Sequence, residues 1–244
     1  MNYVASGGVG HVFQAVDSRT NESVAVKVLK PELCETDTWQ RSMRKEATIM
    51  QSFDSPYLIG FRDSGKVGQL HWVATEWIDG HSLAENLKLM KNNGEQHTLG
   101  EISHLMRPIS GGLQQLHHAG LIHHDMKPSN VLLTQSGQAK LSDFGITRND
   151  PKNNSTVTTA LTAAGTGPYM APERWQDAPV TPAVDIYALG IIWHELLLLD
   201  RPKRKISIRE RRPDCPAEWE HMVEQCLEDK PEKRPELWMI DLNL

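Results

Sequence analysis

The hydrophobic period of this chain of 244 residues changes once, and that change constrains the fold more than any other feature. Through residue 76 the apolar residues come in short β-branched runs, broken by one helical stretch. "HVFQAV" (11–16) and "SVAVKVL" (23–29) flank the turn-rich "DSRTNE" and predict a hairpin. "TDTWQRSMRKEATIMQSF" (36–53) opens on capping residues and continues at helical period, and "YLIGFRDSG" and "QLHWVATEW" predict two further strands. Beyond "EWIDGHS" (76–82), whose Asp-Gly marks a turn, the pattern becomes helical over 82–91, 100–119, 183–199 and 217–228. Strands first and helices after is an α+β order with two lobes, and no internal repeat interrupts it.

Composition narrows the function classes. A net charge of −5 argues against a general nucleic-acid binder, which needs a basic surface. The longest apolar stretch, "YALGIIWHELLLL" (187–199), is short for a membrane span and carries His194 and Glu195, so it reads as a buried helix. The N-terminus lacks the layout of a signal peptide, and Cys34, Cys215 and Cys226 form no C-x-x-C pair. Together these features predict a cytoplasmic chain with no membrane segment and no nucleic-acid partner. His117, His118, His123 and His124 have no accompanying Cys or acidic ligand set, so a metal site built on them is not expected. "RNDPKNNSTVTTALTAAGTG" (148–167) is polar, Ser/Thr-rich and aperiodic, the pattern of a functional loop inside an ordered domain.

Four stretches carry chemistry. "ASGGVGHV" (5–12) is glycine-rich and leads into a strand rather than a helix. Glycines there let backbone N–H groups approach phosphates closely, although a plain hairpin turn accounts for the same residues. Lys27 lies mid-strand between Val26 and Val28, and Glu46 follows within the first helix as a partner that would keep a buried ammonium charged. In "GLIHHDMKPSN" (120–130), Asp125 is a candidate base for a substrate hydroxyl. Lys127 is a candidate neutraliser of a transferring phosphoryl group, and Asn130 a candidate amide-oxygen ligand. "LSDFGI" (141–146) adds Asp143 on a turn closed by Gly145. Asn130 and Asp143 suit Mg²⁺, a hard ion that takes oxygen ligands.

Taken in order, "ASGGVGHV", "VAVKVL", "RKEATIM", "HHDMKPSN", "DFG", "GTGPYMAPE" and "DIYALG" resemble the eukaryotic-type (Hanks-type) serine/threonine protein kinase domain, of the kind also found in bacteria. The resemblance implies one kinase domain over 1–244. Its small antiparallel-sheet N-lobe with one helix would cover about 1–76, its hinge about 76–82, and its larger, mainly helical C-lobe about 83–244. It implies that Gly7, Gly8 and Gly10 cover the phosphates of ATP, and that Lys27, fixed by Glu46, holds the α- and β-phosphates. Val12, Ala25 and Leu132 would sandwich the adenine. Glu76 and Ile78 would meet it through their backbone, and Thr75 would gate the pocket behind. Asp125 would orient and deprotonate a Ser/Thr hydroxyl of a protein substrate, with Mg²⁺ on Asn130 and Asp143. Glu173 would pair with Arg234, and Asp185 would hold the catalytic loop backbone.

The chain departs from that pattern at named places. Ala5 stands at the first loop glycine, His124 stands where the loop usually carries Arg, and the span between "LLLLD" and "RPDCP" is short enough to reduce a helix to a turn. "RPKRKISIRERR" (201–212) carries seven basic residues, either a solvated face or a docking site for an acidic or phosphorylated partner. Two other function classes share parts of the pattern: a pseudokinase acting as a signalling scaffold, and a small-molecule phosphotransferase. Lys27, Asp125, Asn130 and Asp143 are all present, which disfavours the first, and the "GTGPYMAPE" segment disfavours the second.

Overall fold

The structure is a computed structural model that describes residues 1–34, 37–143, 167–176, 179–202 and 207–244. The strand-rich part forms one antiparallel sheet from β1 (Asn2–Ser6), β2 (Gly10–Val16), β3 (Ser23–Leu29), β4 (Phe61–Val67) and β5 (Leu70–Glu76), in the order β1-β2-β3-β5-β4. The hairpin read from the sequence is β2–β3, in unbroken register from Gly10 opposite Leu29 to Val16 opposite Ser23. Helix α1 (Pro31–Cys34) and the longer α2 (Asp37–Gln51) follow β3, and α2 buries Met43, Ala47 and Met50.

After β5 the chain leaves this sheet. A second, three-stranded sheet is built from β6 (Gly80–Ser82), β7 (Val131–Thr134) and β8 (Ala139–Leu141). Helices α3 (Leu83–Asn93) and α4 (Leu99–His118) each begin with a capping box, Ser82 with Glu85 and Thr98 with Glu101. In each box the hydroxyl accepts from the backbone of the Glu, whose carboxylate returns to the cap. Helix α5 (Ala183–Leu198) is the apolar stretch read as a buried helix, and all but three of its 16 residues are buried. A helix that is apolar all round belongs inside a core. It is followed by the one-turn α6 (Ile208–Arg211), where the sequence called for a turn, then α7 (Ala217–Cys226) and α8 (Leu237–Asn243).

Gly190 lets α5 and α7 approach: a Cβ there would sit 2.6 Å from the Cβ of Cys226. Trp193 of α5 meets Trp219 of α7 edge-on at 5.5 Å, and Trp193 is fully buried. One continuous core runs from Leu29 and α2 through Leu58 and Met106 to Ile240, so helices and sheet are packed on a shared interior. Among the described residues no helix is long and apolar enough to cross a membrane. Cys34, Cys215 and Cys226 are free and buried.

Candidate active site

The inner face of the five-stranded sheet is set by its pairing, because directly opposed residues of antiparallel strands share a face. Val12 lies opposite Lys27, Ala25 opposite Thr75, and Lys27 opposite Val73, which puts Val12, Ala25, Lys27 and Thr75 on one face. Val24 and Val26 point the other way and pack with Ala74. At the edge of this face, Gly7 N–H donates to the carbonyl of Gly10 at 2.9 Å and closes the glycine turn around Gly8. At Gly10 a Cβ would lie 2.6 Å from the Val28 carbonyl oxygen, so no side chain fits between β2 and β3 there.

Lys27 reaches across from the sheet. Its Nζ is 2.6 Å from Asp143 Oδ1, beyond β8, and 3.7 Å from Glu46 Oε1 on α2. Burial opposes the charge on Lys27, but Asp143 and then Glu46 outweigh it, and the pKa of the ammonium lies above the usual lysine value. Asp143 is held below the usual carboxylate range, first by Lys27. Burial pushes Glu46 up, with Lys27 pulling against it.

The stretch 121–130 is a loop tied to α5. Asp185, buried in α5, accepts the backbone N–H of His123 at 2.8 Å on Oδ2 and that of His124 at 3.0 Å on Oδ1, while His117 Nε2 donates to Oδ2 at 2.9 Å. Burial works against this carboxylate, yet the His117 bond and the neighbouring imidazoles prevail and its pKa falls below the usual range. His123 Nδ1 accepts the N–H of Asp125 at 3.3 Å, so its ring proton is on Nε2, which donates to the Ser142 carbonyl at 3.2 Å. Burial lowers the pKa of His123, against the pull of Asp185 and Asp125.

Asp125 Oδ2 receives Lys127 Nζ at 2.9 Å and Asn130 Nδ2 at 2.9 Å, and Asn130 Nδ2 also donates to the Asp125 carbonyl at 2.8 Å. Ser142 donates its N–H at 2.9 Å and its hydroxyl at 3.1 Å to the Asn130 carbonyl. One continuous network therefore joins Asp125, Lys127 and Asn130 to the residue before Asp143. His124 (φ 67) and Asp143 (φ 51) both occupy the left-handed region. For a non-glycine residue this costs on the order of 1–3 kcal/mol and persists only where surroundings over-determine it.

At the end of β5, Glu76 N–H donates to the Gly60 carbonyl at 2.8 Å, and Thr75 Oγ1 donates to the Glu76 carbonyl at 3.3 Å. Ile78 and Leu132 are partly buried against the main core. The Glu76 carboxylate accepts the N–H of Gly60 at 2.8 Å and Lys140 Nζ at 2.5 Å, a clasp between β5 and β8 that motif reading did not find. Glu173 and Arg234 form a two-pronged buried pair at 2.6 and 2.8 Å. The next residue, Arg174, donates from Nη1 to the His124 carbonyl at 2.7 Å, a contact no motif announced.

Within 201–212, Arg211 pairs with Asp200 at 2.9 Å, and Arg212 is buried on the carbonyls of Leu197 and His97. These two belong to the fold rather than to an open basic face. Lys203, Arg204 and Lys205, like Gly145, Arg148, Thr166 and the Ser/Thr-rich loop over 148–166, lie outside the described residues. Among the described residues no group of three or more His, Cys, Asp or Glu side chains forms a cation cage. Mg²⁺ does not need one, since it is commonly held by one or two protein oxygens together with substrate phosphates and water. The ionised Asp143 and the amide oxygen of Asn130, whose nitrogen is engaged by Asp125, form an all-oxygen donor set that fits such an ion.

The model of the protein kinase domain family matches residues 2–240. A probable serine/threonine-protein kinase of Clostridium acetobutylicum is 30% identical over 95% of this chain and 36% of its own length. The serine/threonine-protein kinases PknL and PknA of Mycobacterium tuberculosis are 32% and 33% identical, over 87% and 82% of this chain and 52% and 46% of theirs. The chain thus spans about a third to a half of the length of these relatives. The crystal structure of the Mycobacterium tuberculosis PknI kinase domain superposes with a TM-score of 0.76 at 22% identity, covering 99% of this chain and 93% of that one. The sheet-then-helix architecture is the same in both. With its strands, its motif-bearing segments and every helix but the end of α8 inside the matched span, the chain belongs to the protein kinase domain family.

Proposed function

We propose that this chain is an ATP-dependent serine/threonine protein kinase that transfers the γ-phosphoryl group of ATP to Ser/Thr hydroxyls of protein substrates. The observation that carries the reading is the junction at Asp125, Asn130 and Asp143. Asp125 and Asn130 are joined at 2.9 Å and tied at 3.1 Å to Ser142, the residue before Asp143, which itself meets Lys27 at 2.6 Å. The relatives' names point to the same reaction. A binding-only scaffold would have no use for this full inventory.

In this reading the five-stranded sheet is the N-lobe (about 1–76), the link at about 76–82 is the hinge, and 83–244 is the C-lobe. The departure of β6 from the first sheet supports that division. ATP lies against the face bearing Val12, Ala25 and Thr75, with Leu132 opposite, Glu76 and Ile78 at the adenine edge, and Gly7, Gly8 and Gly10 over the phosphates. Lys27, kept charged by Asp143 and Glu46, holds the α- and β-phosphates. Asp125 accepts the proton of the substrate hydroxyl, and Lys127, 2.9 Å from it, offsets charge on the transferring group. Asn130 and Asp143 hold Mg²⁺, which when bound neutralises charge on the phosphate oxygens. The three free, buried thiols fit the reducing, ATP-rich cytoplasm.

The test is transfer of label from [γ-³²P]ATP to a generic basic protein and to a peptide library, with Asp125→Asn alongside. Transfer to Ser/Thr that falls by orders of magnitude in Asp125→Asn, with ATP affinity nearly unchanged, supports the reading, because a base acts mainly in the transition state. No transfer by the wild type, or unaltered turnover in the variant, overturns it.

A further inference from the structure

His124 stands immediately before the candidate base and carries a left-handed backbone at φ 67. Both peptide groups that flank its Cα are held. Its N–H goes to Asp185 Oδ1 at 3.0 Å, and its carbonyl receives the Arg174 guanidinium at 2.7 Å. The two clamps come from different places. Asp185 belongs to the rigid helix α5, whereas Arg174 sits in the short helical turn Pro172–Trp175 that closes the segment after residue 166. Arg174 is only 7% exposed, and its charge is felt by Asp185, Asp125 and Glu173. A guanidinium is permanently charged, and its bond to a carbonyl is charge-assisted and directional. Residue 124 is itself a histidine, without a permanent charge, and Arg174 brings a cation to its carbonyl from outside the loop.

We propose that Arg174 is a positioning residue for phosphoryl transfer. By holding the His124 carbonyl it fixes the left-handed turn that aims Asp125, and it offsets the negative charge gathered around the loop. This rests on the kinase reading above. It predicts a defect confined to the transfer step, since Arg174 lies away from the face assigned to ATP. It also predicts dependence on the strain at residue 124, because glycine adopts the left-handed region without a Cβ penalty.

The experiment measures kcat, the KM for ATP and thermal unfolding for wild type, Arg174→Met, Arg174→Lys, His124→Gly and the double variant His124→Gly/Arg174→Met. Rates are taken at a temperature where all are folded. The expected result is a loss of kcat of about tenfold or more in Arg174→Met, with KM for ATP within about twofold. Arg174→Lys should recover at least about a third of the wild-type kcat, and Arg174→Met should cost less than about threefold in the His124→Gly background, a clear departure from additivity. Wild-type turnover with an unchanged kcat in Arg174→Met overturns this proposal and leaves the kinase reading intact, whereas absence of turnover in the wild type overturns both. An equal loss in the two backgrounds also overturns it, because Arg174 would then serve the fold and not the turn at His124. If Arg174→Met does not fold, Arg174→Gln takes its place in the same comparison.

Discussion

Lys27 and Asp143 are 116 positions apart in the chain and 2.6 Å apart at their charged atoms. One belongs to the five-stranded sheet and the other follows the three-stranded sheet, so this ion pair spans the two halves of the molecule. Lys27 holds the pKa of Asp143 below the ordinary carboxylate value. A group whose folded pKa is depressed contributes stability above its unfolded pKa of about 3.9, and that contribution is lost as pH falls through the folded pKa. Asp143→Asn is therefore expected to lower the melting temperature near neutral pH. The gap to wild type should close as pH drops below about 4. Thermal melts of both proteins between about pH 3 and pH 7 check this, and a gap that widens in acid contradicts it.

Thr75 is the small residue opposite Ala25 on the face assigned to adenine. Thr75→Met should fill the space behind that face. Inhibitors with a bulky group there are expected to weaken by about tenfold or more, a loss on the scale of about 1.4 kcal/mol, while the KM for ATP changes little. Equal inhibition of both proteins would mean that the pocket lies elsewhere.

Arg234 and Glu173 have side chains 0% and 6% exposed and are joined at 2.6 Å. Removing one partner leaves an uncompensated buried charge, which costs about 3–5 kcal/mol. Arg234→Met and Glu173→Gln should each lose much of the stability of the helical half in denaturant titrations. The double substitution should be less harmful than the sum of the two.

His124 is buried and stands where a loop arginine would meet a phosphate on the Ser/Thr-rich segment. Histidine has an unperturbed pKa of about 6.5 and lacks a permanently charged, two-pronged donor. Activity is therefore expected to depend only weakly on phosphorylation of Ser155, Thr156, Thr158, Thr159 or Thr162, all within the stretch read from the sequence as a functional loop. Replacing all five hydroxyl residues by Ala should reduce the initial rate on a peptide substrate by less than about tenfold.

The elements with enough length to show a period were legible in the sequence: the β2–β3 hairpin, α2, α4 and the buried α5 all occupy the stretches read for them. The three-stranded sheet was not, because strands of three or four residues are too short for alternation to register. Motif spacing brought out Lys27, Asp125, Asn130 and Asp143, residues that the fold gathers into one network. It missed Arg174, the Glu76–Lys140 clasp and the His117 bond to Asp185. Each of these three is an ordinary polar residue whose partner is distant in sequence, and only tertiary packing makes it exceptional. The one cue available for Arg174 was its position directly after Glu173.

Asp185 gathers the amides of His123 and His124 into the most deeply buried helix, with a consequence for where control can reside. A loop moored to the innermost helix opens only when the large half itself comes apart, so its amide protons should exchange with solvent as slowly as those of α5. Every folded copy then carries the backbone ahead of Asp125 already in place. The adjustable joint is the far looser 3.7 Å approach of Glu46 to Lys27, on a helix that abuts the other sheet. A regulator of this molecule then finds its opening at that contact between α2 and the five-stranded sheet, rather than at the loop moored to α5.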